Sequence, residues 1–138
     1  MNVKFALIAD YASISREGKL SVSGIFDTIN PPVLPFPLPI FYVVVSFEAG
    51  AAEYNTKKNV EIVLSDEDGN SLMKLPNELK IGRPQRGGDM VTANQIAAIA
   101  GFPFKKEGTY QFAILVNGET KTTVPLTINQ PRGDKDEH

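Results

Sequence analysis

This sequence predicts an all-β fold, a two-sheet antiparallel sandwich of Greek-key type with about eight strands. Three observations carry that reading. Apolar and polar residues alternate with period two through most of the chain, helical periodicity is nearly absent, and Gly, Pro and Asn-Gly signals break the alternation at short intervals. The chain has 138 residues, the size of one domain. A chain this long buries roughly 68% of its unfolded surface and needs no metal or disulfide to fold. The expected organisation is a single domain over residues 1–131 and a charged tail over residues 132–138.

The first strand begins almost at Met1. Val3, Phe5, Leu7 and Ala9 are expected on one face, with Ala6 and Ile8 on the other. The apolar run Phe5 to Ala9 is cut by Asp10, too early for a secretory core of about 7–15 residues. No run approaches the roughly 18 apolar residues of a membrane span. The chain therefore reads as cytoplasmic. Leu20, Val22 and Phe26 share one face of a second strand, and Gly24 interrupts it as a bulge would.

Pro31 to Pro39 is too rich in proline for a central strand. It reads as an extended connection, with a ligand for an aromatic-lined groove as the sharper alternative. Phe41, Val43, Val45 and Phe47 then mark the central strand, and its second face opens with Ile40, Tyr42 and Val44. Val60, Ile62 and Leu64 form a half-buried strand. After the turn at Asp66 to Asn70 a short strand returns over Leu72 to Leu75. Pro84 and Gly87-Gly88 mark a long loop. Val91 to Ala100 has Ile96 and Ile99 at helical spacing among alanines, but its place among strands favours a strand.

Tyr110, Phe112, Ile114 and Val116 alternate cleanly. Asn117-Gly118 supplies two residues that accept positive φ, as a tight hairpin requires. Val124, Leu126 and Ile128 return, and Pro125 places that strand at an edge. No internal repeat is present.

Gly108-Thr109-Tyr110, followed by this hairpin, resembles the tyrosine corner of immunoglobulin-like domains. The resemblance covers Lys106 to Ile128 and implies an immunoglobulin-like sandwich in which the Tyr110 hydroxyl reaches back to the backbone. The Cys and Trp of antibody domains are missing. The chain as a whole also resembles an uncharacterised family of bacterial and phage-associated β-sandwich proteins. Phe5-Ala6-Leu7-Ile8-Ala9-Asp10, Gly24-Ile25-Phe26-Asp27, the proline-rich connection and Tyr110 through Gly118 carry that resemblance. It implies a bacterial or phage source and transfers no functional residue.

The chemistry is sparse. There is no cysteine, which excludes disulfides, thiolate metal sites and thiol catalysis and fits a reducing compartment. The sole histidine is His138, so a Ser-His-Asp triad or a histidine metal cluster is not expected. Asp10 and Asp27 end two apolar runs and converge in the sharpest catalytic reading; solvated strand ends are the plainer one. Asp66, Asp68 and Asn70 alternate as calcium ligands do. Gly69 comes too early for a helical calcium loop, so a turn is the plainer reading. Lys80, Arg83 and Arg86 before Gly87-Gly88 make a basic loop without interleaved aromatics. Tyr11, Tyr42 and Tyr54 could line a sugar-binding face, but no Trp accompanies them.

Net charge is -2, which draws the chain to neither nucleic acid nor an anionic membrane. No cofactor and no small molecule are expected. The expected function is a non-catalytic binding or assembly module, possible as a homo-oligomer or with a protein partner. A phage-type structural accessory and a weak calcium- or carbohydrate-binding module are the alternatives. The expected contact surface is Ala6, Ile8, Ile40, Tyr42 and Val44, covered by a loop or by another chain.

Overall fold

The computed structural model describes residues 1–84 and 88–130. Eleven strands occur among them, in chain order β1 (Asn2–Ile14), β2 (Leu20–Phe26), β3 (Thr28–Ile29), β4 (Phe36–Pro37), β5 (Phe41–Ala49), β6 (Thr56–Ser65), β7 (Ser71–Ile81), β8 (Val91–Ile99), β9 (Pro103–Phe104), β10 (Gly108–Val116) and β11 (Glu119–Ile128). Eight of these have seven residues or more, and β3, β4 and β9 have two each. A single 3-10 turn at Ala51–Glu53 accompanies them. The fold is an all-β sandwich.

One sheet has the order β2-β1-β5-β8 and the other β3-β11-β10-β6-β7; β4 and β9 form a third, two-stranded piece. All pairings are antiparallel except β3 with β11. The core between the sheets follows from the alternation. Phe41, Val43, Val45 and Phe47 of β5 meet Val60, Ile62 and Leu64 of β6, Phe112 and Ile114 of β10, and Leu126 and Ile128 of β11. Edge-on ring pairs link Phe26 to Phe41 and Phe41 to Phe112.

The first strand departs from the expected pattern. Val3 pairs with Phe47, but Phe5 pairs with Ser46, so Lys4 is an extra residue on β1. A one-residue bulge exchanges the two faces. Beyond it Phe5, Leu7 and Ala9 lie on the outer face opposite Ser46, Val44 and Tyr42, while Ala6 and Ile8 turn to the core opposite Val45 and Val43. Only Val3 keeps the inward place expected of its set.

Val91 to Ile99 is a strand throughout, paired to β5 through nine residues. The stretch after the Asp66 turn runs to Ile81 as eleven residues and carries Pro76 within it. That proline is tolerated because β7 is an edge strand. Pro125 likewise sits where β11 lacks a second neighbour, since β3 reaches only Thr127 and Ile128. The proline-rich connection closes one end of the core: Leu38 is buried, Leu34 and Phe36 pack on the core cluster, and Phe36-Pro37 pairs with Pro103-Phe104.

The β10–β11 hairpin turns on Asn117 and Gly118, with φ of 50° and 85°. Val116 faces Glu119, so the loop has two residues of the primed type. Asn117 also holds β6, accepting the Asn59 N–H on Oδ1 at 2.9 Å and donating its own N–H to the Asn59 carbonyl at 2.8 Å. The Tyr110 hydroxyl donates to the Lys106 carbonyl at 2.6 Å, and its ring stands edge-on to Phe104. Burial pushes that phenol above its usual range, against the lowering effect of the hydrogen bond.

Candidate functional site

Chemistry requires titratable groups held together in a recess, and the described residues offer little of that. Asp10 and Asp27 do not meet in one pocket. Asp10 lines a recess of about 340 Å³ with Phe26, Asn30, Leu38 and Phe41, whereas Asp27 is exposed and accepts the neighbouring Thr28 hydroxyl at 3.0 Å. The Asp10 side chain instead lies against Gly24, whose φ of 74° and missing Cβ let the two strands close there.

The Asp66 carboxylate is occupied by its own turn. Oδ1 accepts the N–H groups of Asp68 at 3.0 Å and Asn70 at 2.9 Å, and Oδ2 accepts the Asn70 amide at 3.2 Å. The Asn70 N–H is the main reason its carboxyl lies below the usual range, with the Asn70 amide and the Asp68 N–H assisting. Among the described residues no cluster of three or more His, Asp or Glu is placed to hold a metal. Asp66 also borders a second recess of about 340 Å³, floored by Leu72, Phe102, Phe104 and Tyr110 and rimmed by Lys105 and Lys106. Of the basic loop, Lys80 is the last residue but one of β7, and Arg86 with Gly87 lies outside the described residues, as does the tail at 132–138.

The five residues expected to make one contact surface are not brought together on one. Ile8 is a core residue at 1% exposure, and Ala6 packs against the core because of the Lys4 bulge. Val44 does lie on the outer face but is 0% exposed; Ile40, at 49%, is exposed there, and Tyr42 is half-buried. The β1–β2 hairpin borders part of this face. Gly18, Lys19, Leu20 and Val22 face Phe5, Leu7 and Ser46 across an open groove of about 630 Å³. Tyr11 stands edge-on to Tyr42, with 5.9 Å between the ring centres. Tyr54 is elsewhere, donating its hydroxyl to the Asp89 carbonyl. No single aromatic face forms.

What the sequence reading passed over is the free edge of β8. One side of this strand is fully paired to β5 with no register shift, and among the described residues no strand lies on the other. Its residues, Val-Thr-Ala-Asn-Gln-Ile-Ala-Ala-Ile, include no charge, no proline and no glycine. Edge strands usually carry such guards because their open N–H and C=O groups template further pairing. The signal was visible as an uncharged nine-residue run, but the uncertainty between helix and strand hid it. Beside this edge β7 faces β8 across a cleft of about 190 Å³ lined by Val60, Ile62, Leu75, Asn77, Gln95 and Ala97.

The model of a family of unknown function, DUF6941, matches residues 4–129, and the chain belongs to that family. No curated protein matches the sequence. Among solved structures the chain is similar to the Pseudomonas fluorescens alkylpurine DNA glycosylase AlkC bound to DNA containing an abasic site analog. The identity is 15% and the TM-score 0.46, over 74% of this chain. The aligned region spans 27% of that enzyme's chain. No described helix is long and apolar enough to cross a membrane.

Proposed function

We propose that this protein is a non-catalytic binding or assembly module that acts through strand pairing at the free edge of β8. The observation behind the reading is the contrast between that edge and every other. β7 carries Lys74, Pro76, Glu78 and Lys80, and β11 carries Pro125; β2 pairs with β1 in unbroken register, without the bulge expected at Gly24, but has only seven residues and takes a φ of 74° at that glycine. Among the described edges, only β8 is long, regular and free of charge and proline. Strand addition supplies affinity through main-chain hydrogen bonds and leaves specificity to alternate side chains. The same edge would serve a phage-type structural accessory that assembles with unlike chains.

Amide hydrogen exchange on the dilute protein tests the reading. The outward-facing amides of β8 are expected to exchange fast while those bonded to β5 stay protected. Uniform protection along both sides of β8 in the lone chain would mean that the edge is already sealed, and the reading would fall.

A further inference from the structure

Resting on that reading, we infer that the strand β8 accepts is β8 of a second copy, paired antiparallel about a two-fold axis at Gln95. A two-fold axis perpendicular to the sheet keeps inner faces inner. Residues directly opposite each other must then share a face, so their numbers must sum to an even value. Val91, Ala93, Gln95, Ala97 and Ile99 lie on the inner face, opposite Ala49, Phe47, Val45, Val43 and Phe41 of β5. Thr92, Asn94, Ile96 and Ala98 lie on the outer face.

The register centred on Gln95 is the one that pairs all nine residues, Val91 with Ile99 and Thr92 with Ala98. It matches face to face along the whole edge. Three properties of β8 suit a copy of itself. It carries no charge, so no register sets like charges opposite each other. Ala93 and Ala97 are opposite each other on the inner face and leave the backbones free to approach. Gln95, at 7% exposure, meets its own copy at the axis with an amide that both donates and accepts. The result is one continuous sheet of eight strands, β2-β1-β5-β8 repeated about the axis, and the new strand covers the mouth of the cleft between β8 and β7.

Light scattering from dilute to concentrated protein, combined with directed cross-linking, tests this. The chain has no cysteine to interfere. Thr92 and Ala98 are exposed, so Thr92→Cys with Ala98→Cys leaves the core intact. Within one strand the two positions are about 20 Å apart and cannot bridge. Across the two-fold axis they lie directly opposite, within disulfide range. The expected results are a mass of twice 15.1 kDa, a covalent dimer from the double variant only, and a return to monomer in Ala98→Lys. Three outcomes overturn the inference: a monomer at every concentration, a dimer that survives Ala98→Lys, or a dimer that the double variant does not cross-link. A monomer whose outward β8 amides exchange fast removes the second copy but leaves strand addition standing. A monomer with those amides protected removes both.

Discussion

β7 and β8 are the outermost strands on one flank of the sandwich, one from each sheet, and they solve the edge problem in opposite ways. β7 alternates Met73, Leu75 and Leu79 toward the core with Lys74, Pro76, Glu78 and Lys80 outward or at the rim. A second chain that paired there would have to desolvate charges and would meet a residue with no N–H. β8 offers an unbroken ladder of donors and acceptors with small or neutral side chains. Both strands are anchored by a buried isoleucine, Ile81 in β7 and Ile99 in β8, each 2% exposed. The difference therefore lies in what each edge presents, not in how firmly it is held. On the proposed reading, it separates stability from assembly on a single flank.

Changes at those anchors should break the comparison most severely. Ile81→Ala and Ile99→Ala should each cost about 2–5 kcal/mol in denaturant unfolding, because both remove buried methylenes from a packed core. If only one did so, the edge carrying the other would lie outside the cooperative unit. Gly118→Val is next, at about 1–2 kcal/mol, because a β-branched side chain at positive φ meets its own backbone. It lies outside both edge strands, in the β10–β11 turn, so it should lower the denaturation midpoint while leaving oligomeric mass unchanged. Removing the guards from β7 with Lys74→Val and Glu78→Val should change stability by less than about 0.5 kcal/mol. It should nonetheless produce concentration-dependent association by light scattering in a chain already carrying Ala98→Lys.

The smallest effect concerns the turn that leads into β7. The Asn70 and Asp68 N–H groups favour the charged form of Asp66 in the folded state, so its folded pKa is depressed. Its contribution is full above the ordinary carboxylate range and is lost as pH falls through the folded value. The gap in Tm between the wild type and Asp66→Ala should thus narrow from about pH 7 to about pH 3. A gap independent of pH would show that the turn holds without the charge.

Legibility in the sequence tracked how locally each feature is determined. The inward faces of β10 and β11 and the turn between them were readable because alternation, Asn117-Gly118 and the Tyr110 hydroxyl contact are all short-range signals, although β11 starts earlier than the alternation, at Glu119. The Lys4 bulge was not, since no residue type marks it; it exists because β1 must satisfy β5, and a single inserted residue moved Ala6 and Ile8 from the outer face to the core. Val44 was placed on the correct face, but its burial depends on its central place between Leu7 of β1 and Ile96 of β8, which only the strand order reveals. β7 was cut short at Pro76 because a proline argues against a strand until the strand is known to be at an edge. The β8 edge needed the same knowledge in reverse. Its lack of charge means something only once no described strand is found paired beside it.

Asn117 carries a consequence for error correction. Its backbone occupies a conformation that few residues accept, and its side chain and N–H together clasp Asn59, 58 positions earlier. A slip of β6 by one residue against β10 would invert every side chain of β6 and would also leave that clasp empty. Gly at 117 would keep the turn and lose the Oδ1 half of the clasp; Ser could offer an oxygen but resists the turn. One asparagine thus acts as a checksum, closing the hairpin only in company with the correct neighbour.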